Sequence, residues 1–160
     1  MNTLARKIPT AARLGLGLVF TVFGLNGFLQ FLPQPPMSGP PAAYFGALMT
    51  MGYMLPLLMG TELVAGLLLL SGRLVPLALT LLAPVIVNIL AFHVFVAHGG
   101  YGLPLVVLAA ELHLAWAYKG AFAPMLRWRA TPDAIRAGSS GAAEVVNREG
   151  VAAASQVAAR

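Results

Sequence analysis

The chain has 160 residues, 59% of them hydrophobic and 9% charged, with a mean hydropathy of +0.81. That composition falls outside the range of ordinary soluble domains and is expected of an integral membrane protein. The net charge of +5 goes with cations gathered at the flanks of apolar segments, which leaves a nucleic-acid partner little to explain. Cysteine is absent, which excludes disulfides, thiol catalysis and Cys-ligated metal or iron–sulfur sites.

Four apolar blocks, Leu14–Leu32, Leu55–Leu70, Leu74–Ala97 and Leu103–Phe122, are each close to the ~20 residues that an α-helix needs to cross ~30 Å of hydrocarbon. The first is expected to begin after Pro9 and to be a retained span, because its apolar run exceeds that of a usual signal peptide and no small-x-small cleavage site follows it. It carries Gly15, Gly17, Gly24 and Gly27, residues that let helix backbones approach closely in lipid. It should end at Pro33, where the run PQPPMSGPP opposes helix and gives a stiff external loop. From Ala42 to Tyr53, the residues Tyr44, Phe45, Leu48, Met49 and Tyr53 read as a short helix at the outer membrane surface.

Pro56 starts or kinks the second span, and Ser71-Gly72 supplies its stop, with Arg73 beside the negative helix end. Pro76 suits the first turn of the third span, whereas Pro84 lies inside it and frees a carbonyl that a neighbour such as Asn88 should satisfy. Pro104 opens the fourth span after the turn HGGYG. Residues 1–129 are thus expected to form the membrane domain, and residues 130–160, with no aromatic side chain, a disordered cytoplasmic tail.

Orientation follows from the cations. Arg6, Lys7 and Arg13 precede the first block, Arg73 lies between the second and third, and Lys119, Arg127, Arg129, Arg136, Arg148 and Arg160 lie at or beyond the end of the fourth. The stretches Pro33–Ala43 and His98–Gly102 hold no Lys or Arg. By the positive-inside rule both termini and the Arg73 turn are cytoplasmic. The expected fold is an all-α, integral membrane four-helix bundle with a short interfacial helix before its second span.

Inside this apolar background lie Asn26, Glu62, Asn88, His93, Glu111 and His113. Counted from Tyr101 at about 1.5 Å per residue, Asn88, His93, Glu111 and His113 fall within roughly 8 Å of one another along the membrane normal. The same count from Gly72 puts Glu62 about 8 Å to the cytoplasmic side of Asn88. An ionised carboxylate at a helix centre costs on the order of 3 kcal/mol even on a lenient scale, so Glu62 and Glu111 should face the bundle or a wet cavity. Such groups pass protons or hold a polar ligand head; equally, a Glu or Asn here can bridge helices by hydrogen bonds alone. Glu111 and His113 lie about 200° apart around their helix and cannot both face one cavity. His93 and His113 differ in height by about 6 Å, which suits a bis-imidazole haem poorly. His98 reads as a turn residue, the methionines as apolar filler, and no metal site is expected.

The stretches GLVFTVFGLNGF, GTELVAGLLLLSGR and PLALTLLAPVIVNILAFH, with the four-span size, resemble the DoxX family of bacterial membrane proteins over about residues 10 to 123. The closest pieces are Glu62-x3-Gly66 with the following Gly72-Arg73, and Pro84-x3-Asn88-x4-His93. The resemblance implies a compact four-helix bundle in the bacterial cytoplasmic (inner) membrane and a link to membrane oxidoreductase complexes, with Glu62, Asn88 and His93 at motif positions. On that basis the chain is expected to be a membrane subunit of an oxidoreductase complex with an intramembrane polar site for a quinone. Glu62 and His93 would handle protons there, and Asn26, Asn88, Glu111 and His113 would bind the ligand. Two alternatives stay open: a non-catalytic anchor or assembly factor for an oxidoreductase partner, and a small proton-coupled carrier, which would need to form a homo-oligomer.

The one-sided cation distribution makes a topology prediction. Reporter fusions after Gly39 and Gly100 should report the external side, and fusions after Gly72 and at Arg160 the cytoplasm. A cytoplasmic signal at Gly39 would invert the orientation.

Overall fold

The computed structural model describes residues 3–33, 36–126 and 128; the tail expected over residues 130–160 lies outside them. The described residues form helices and no strand: α1 (Thr3–Leu29), α2 (Pro40–Thr50), α3 (Met54–Ser71), α4 (Val75–Phe92), α5 (Gly102–Ala117) and α6 (Lys119–Phe122). The end of α4 continues as a wider π turn, His93–Ala97. Three segments, Lys7–Leu29, Met54–Ser71 and Val75–Ala97, are long and apolar enough to cross a membrane. At 16 residues, α5 spans only about 24 Å by itself. The helix expected to run to Phe122 breaks at Tyr118, where Ala121 N–H turns tightly back to the Tyr118 carbonyl at 2.9 Å. The Lys119 ammonium there lies 4.5 Å from the Trp116 ring centre, a cation–π contact of the kind found at membrane interfaces.

Proline sets the helix starts, though not everywhere as expected. Pro9 lies inside α1 instead of preceding it. The bond it removes would have gone to the Ala5 carbonyl, close to the helix end, where the loss is tolerated. Pro40 and Pro41 open α2 instead of barring helix, because a first turn needs no N–H donors. At its other end α1 stops at Leu29, short of Pro33. Gln30 takes a left-handed φ of 50°, and the Asn26 side-chain oxygen accepts the Leu32 N–H at 2.7 Å, turning the chain off the helix axis.

In packing, α1 lies against α3 and α5, and α4 against the same two helices. The closest approach is between α1 and α3. A methyl group placed on Gly66 would come within 2.6 Å of the Thr21 backbone nitrogen, and one on Gly24 within 2.6 Å of the Leu63 nitrogen. Only glycine lets these backbones meet at that distance. The core around this contact is Leu16 and Phe20 of α1, Ala65 and Leu69 of α3, Val75, Ala78, Leu79, Leu82, Val85 and Ile86 of α4, and Val107 and Leu114 of α5. The outward faces are no less apolar: Leu18, Leu57, Val64, Leu67, Val87, Val106 and Leu112 are all exposed. Surface leucines and valines at this density suit a lipid bilayer and not water.

The C-terminus of α3 is closed by an unexpected cation. Arg73 is exposed, whereas the Arg13 guanidinium, reaching over from α1, donates to the Leu69 and Leu70 carbonyls. A positive charge at carbonyls left without helical partners stabilises that end, and it ties α1 to α3 a second time.

Gly66→Ala should therefore lower stability by about 1–3 kcal/mol, the usual cost of overpacking. Gly15→Ala, where an added methyl meets nothing within 4 Å, should be neutral or slightly stabilising. Unfolding of both variants in detergent micelles checks the pair; equal stability would show that the α1–α3 contact is loose.

Candidate functional site

A helix presents to its interior the residues three and four apart. On α3 that face is Glu62, Ala65, Gly66 and Leu69, and on α5 it is Pro104, Val107, Glu111 and Leu114. Glu62 and Glu111 are only 5% and 6% exposed, each near the middle of its helix. Glu111 Oε2 is buried without a hydrogen-bond partner, and so is the Thr21 hydroxyl of α1. Thr21 sits against Gly66, one turn of α3 from Glu62. The described cations lie elsewhere, with Arg13 on the end of α3 and Lys7, Arg73 and Lys119 exposed. The interior thus holds two carboxylates and a hydroxyl with no positive side chain beside them among the described residues.

The other four polar residues lie apart from this pair. Asn26 is buried, and its side-chain oxygen is engaged in closing α1. Asn88 is exposed and does not serve the carbonyl freed by Pro84; its amide donates to the Tyr44 hydroxyl of α2 at 3.1 Å. His93 is half-buried where the π turn begins, with Nδ1 at 2.8 Å from the Ile89 carbonyl, so Nδ1 carries the proton and donates. Its ring stands edge-on to Phe92 at 5.3 Å. His113 is exposed, on the opposite side of α5 from the buried Glu111.

Helix counting explains the separation. Through the Gly72 turn, His93 stands about 16 Å further along the helix axes than Glu62. Glu62, Asn88 and His93 are therefore not brought around one ligand; the first belongs to the interior and the other two to the end of α4 beside α2. Among the described residues no group of three or more His, Asp or Glu side chains is placed to hold a metal ion.

Two residues absent from the sequence-based set join it. Tyr44 anchors the cluster beside the end of α4, its ring tilted against Phe92 at 5.1 Å while its hydroxyl receives the Asn88 bond. Its position among interface-loving aromatics marked the helix but not the partner. Thr21 carried no signal, since a threonine in an apolar helix ordinarily bonds its own backbone. A cavity of about 230 Å³ lies between the end of α1, α2 and the start of α3, with Gln30 on its lining, and none of the six candidate polar residues lines it.

Comparison with protein-family models, with curated proteins and with solved structures finds no match to this chain.

Proposed function

We propose that the chain is a DoxX-like four-helix membrane bundle, both termini cytoplasmic, that serves an oxidoreductase complex of the bacterial inner membrane as a proton-handling subunit. The observation that carries the reading is the burial of Glu62 and Glu111 on the inward faces of apolar helices, one with an unpartnered oxygen. Stability gives no reason to keep them there, because a leucine at either position would avoid the desolvation cost. A buried carboxyl exchanges protons with a polar guest, and a quinone headgroup takes up two protons for every two electrons it accepts. With no cysteine in the chain, the electrons would come from a redox partner, while this subunit supplies a proton-conducting interior. His93, its Nδ1 engaged, presents Nε2 as an acceptor at the external end of that route.

The anchor reading draws support from a different observation. Asn88 bonds across to α2, as a helix-bridging group does, and Asn26 and His93 are engaged locally, at the end of α1 and one turn back in α4. The two readings part at the carboxylates.

Glu62→Gln keeps the shape but cannot exchange a proton. If the carboxyl works, this variant should express and fold like the parent yet lose at least tenfold in proton-coupled activity of the purified complex. If Glu62 only bridges helices, Gln should be silent, and Glu62→Leu should lower stability by about 1 kcal/mol. Full activity in the Gln variant rejects the proton-handling role and leaves the anchor.

A further inference from the structure

Helix α2 has no buried residue, which sets it apart from the four long helices. It is bracketed by Gly39 and Gly52, with φ of 63° and 72°. These left-handed conformations are open to glycine at little cost and let each end pivot. The two prolines at its start fix the first turn, and the segment between the glycines is one short continuous helix. Its hold on α4 is local and one-sided: the Asn88 amide on the Tyr44 hydroxyl at 3.1 Å, and the rings of Tyr44 and Phe45 on Phe92 at 5.1 Å and 5.4 Å. One neutral hydrogen bond and two ring contacts are a light hold on a helix of 11 residues.

The helix forms one side of the cavity described above, which is partly open. Leu48 and Met49 of α2 form one wall, Gly27 and Phe28 of α1 and Leu55 of α3 the others, with Gln30 contributing the polar edge. At about 230 Å³ it exceeds the ~150 Å³ apolar cavity that holds a benzene ring. Its walls are mainly apolar, and it lies at the ends of helices apolar enough for a bilayer. The ligand chemistry that matches is the hydrocarbon part of a membrane amphiphile, its polar group resting near Gln30.

We infer that α2 is a lid, hinged at Gly39 and Gly52 and latched by Tyr44 to Asn88, that admits an amphiphile tail from the membrane into this cavity. The inference rests on the membrane reading of the chain but not on the carboxylates, so failure of the Glu62 test leaves it standing and the reverse also holds.

The absence of native cysteine makes the test direct. Spin labels on Leu18→Cys and Ala47→Cys, both exposed in the parent, report the α1–α2 distance in lipid nanodiscs. The parent should give mainly one population, and adding Asn88→Leu with Tyr44→Phe should populate a second, longer distance by at least threefold, with the helix content unchanged. A diazirine-bearing decanoic acid should then label the segments 27–30 and 48–56 more heavily in the unlatched variant. An unchanged distance distribution overturns the lid. A longer distance without added labelling of those segments overturns the cavity as the tail's site.

Discussion

Two helix backbones can touch only where side chains stand aside, and in this chain they do so at Gly17, Gly24 and Gly66. In lipid there is no hydrophobic force to press helices together, so close packing between them must supply the association. The α1–α3 contact does this, and the Arg13 guanidinium on the α3 carbonyls locks the C-terminal end of α3. Once Gly66 faces α1, helical periodicity leaves Glu62 no choice: one turn away on the same face, it too points inward.

That constraint explains why the polar residues fall into separate sets. Those on the packed faces, Glu62 and Glu111, are buried whatever their chemistry, and their persistence in an apolar interior is what calls for a function. Those near helix ends have local work. Asn26 stops α1, Asn88 holds α2, and His93 sits where α4 widens into a π turn, a feature that often marks functional sites. The interior pair and the cluster of Tyr44, Asn88 and His93 are therefore separate places in the fold. A single pocket formed by Glu62, Asn88 and His93 is not what the helices build.

Much of this architecture can be read from the residues. Apolar run length gives the long helices, the aromatic stretch around Tyr44 gives the short helix α2, and the cost of a carboxylate in hydrocarbon puts Glu62 and Glu111 inside. The boundaries that differ have local causes invisible to hydropathy. Pro40-Pro41 looks like a breaker but is compatible with a first turn; Asn26 ends α1 early through its side chain; α5 breaks at Tyr118, beside Lys119, although the apolar Ala121 and Phe122 follow. Partner choice was hidden most completely. Sequence proximity favoured Arg73 for the end of α3, and the proline-freed carbonyl favoured a local role for Asn88, yet Arg13 and Tyr44, far along the chain, take those contacts.

The central claim, that α3 crosses lipid with Glu62 turned toward α1, is tested most directly by a single-cysteine spin-label scan along α3 in bilayers, reading collisions with oxygen and with a water-soluble nickel chelate. The account predicts oxygen access at Leu57, Val64 and Leu67 and protection from both reagents at Glu62, Ala65 and Leu69, repeating with the helical period. A label at Glu62 as accessible to oxygen as one at Val64, or nickel access along the whole helix, would contradict it.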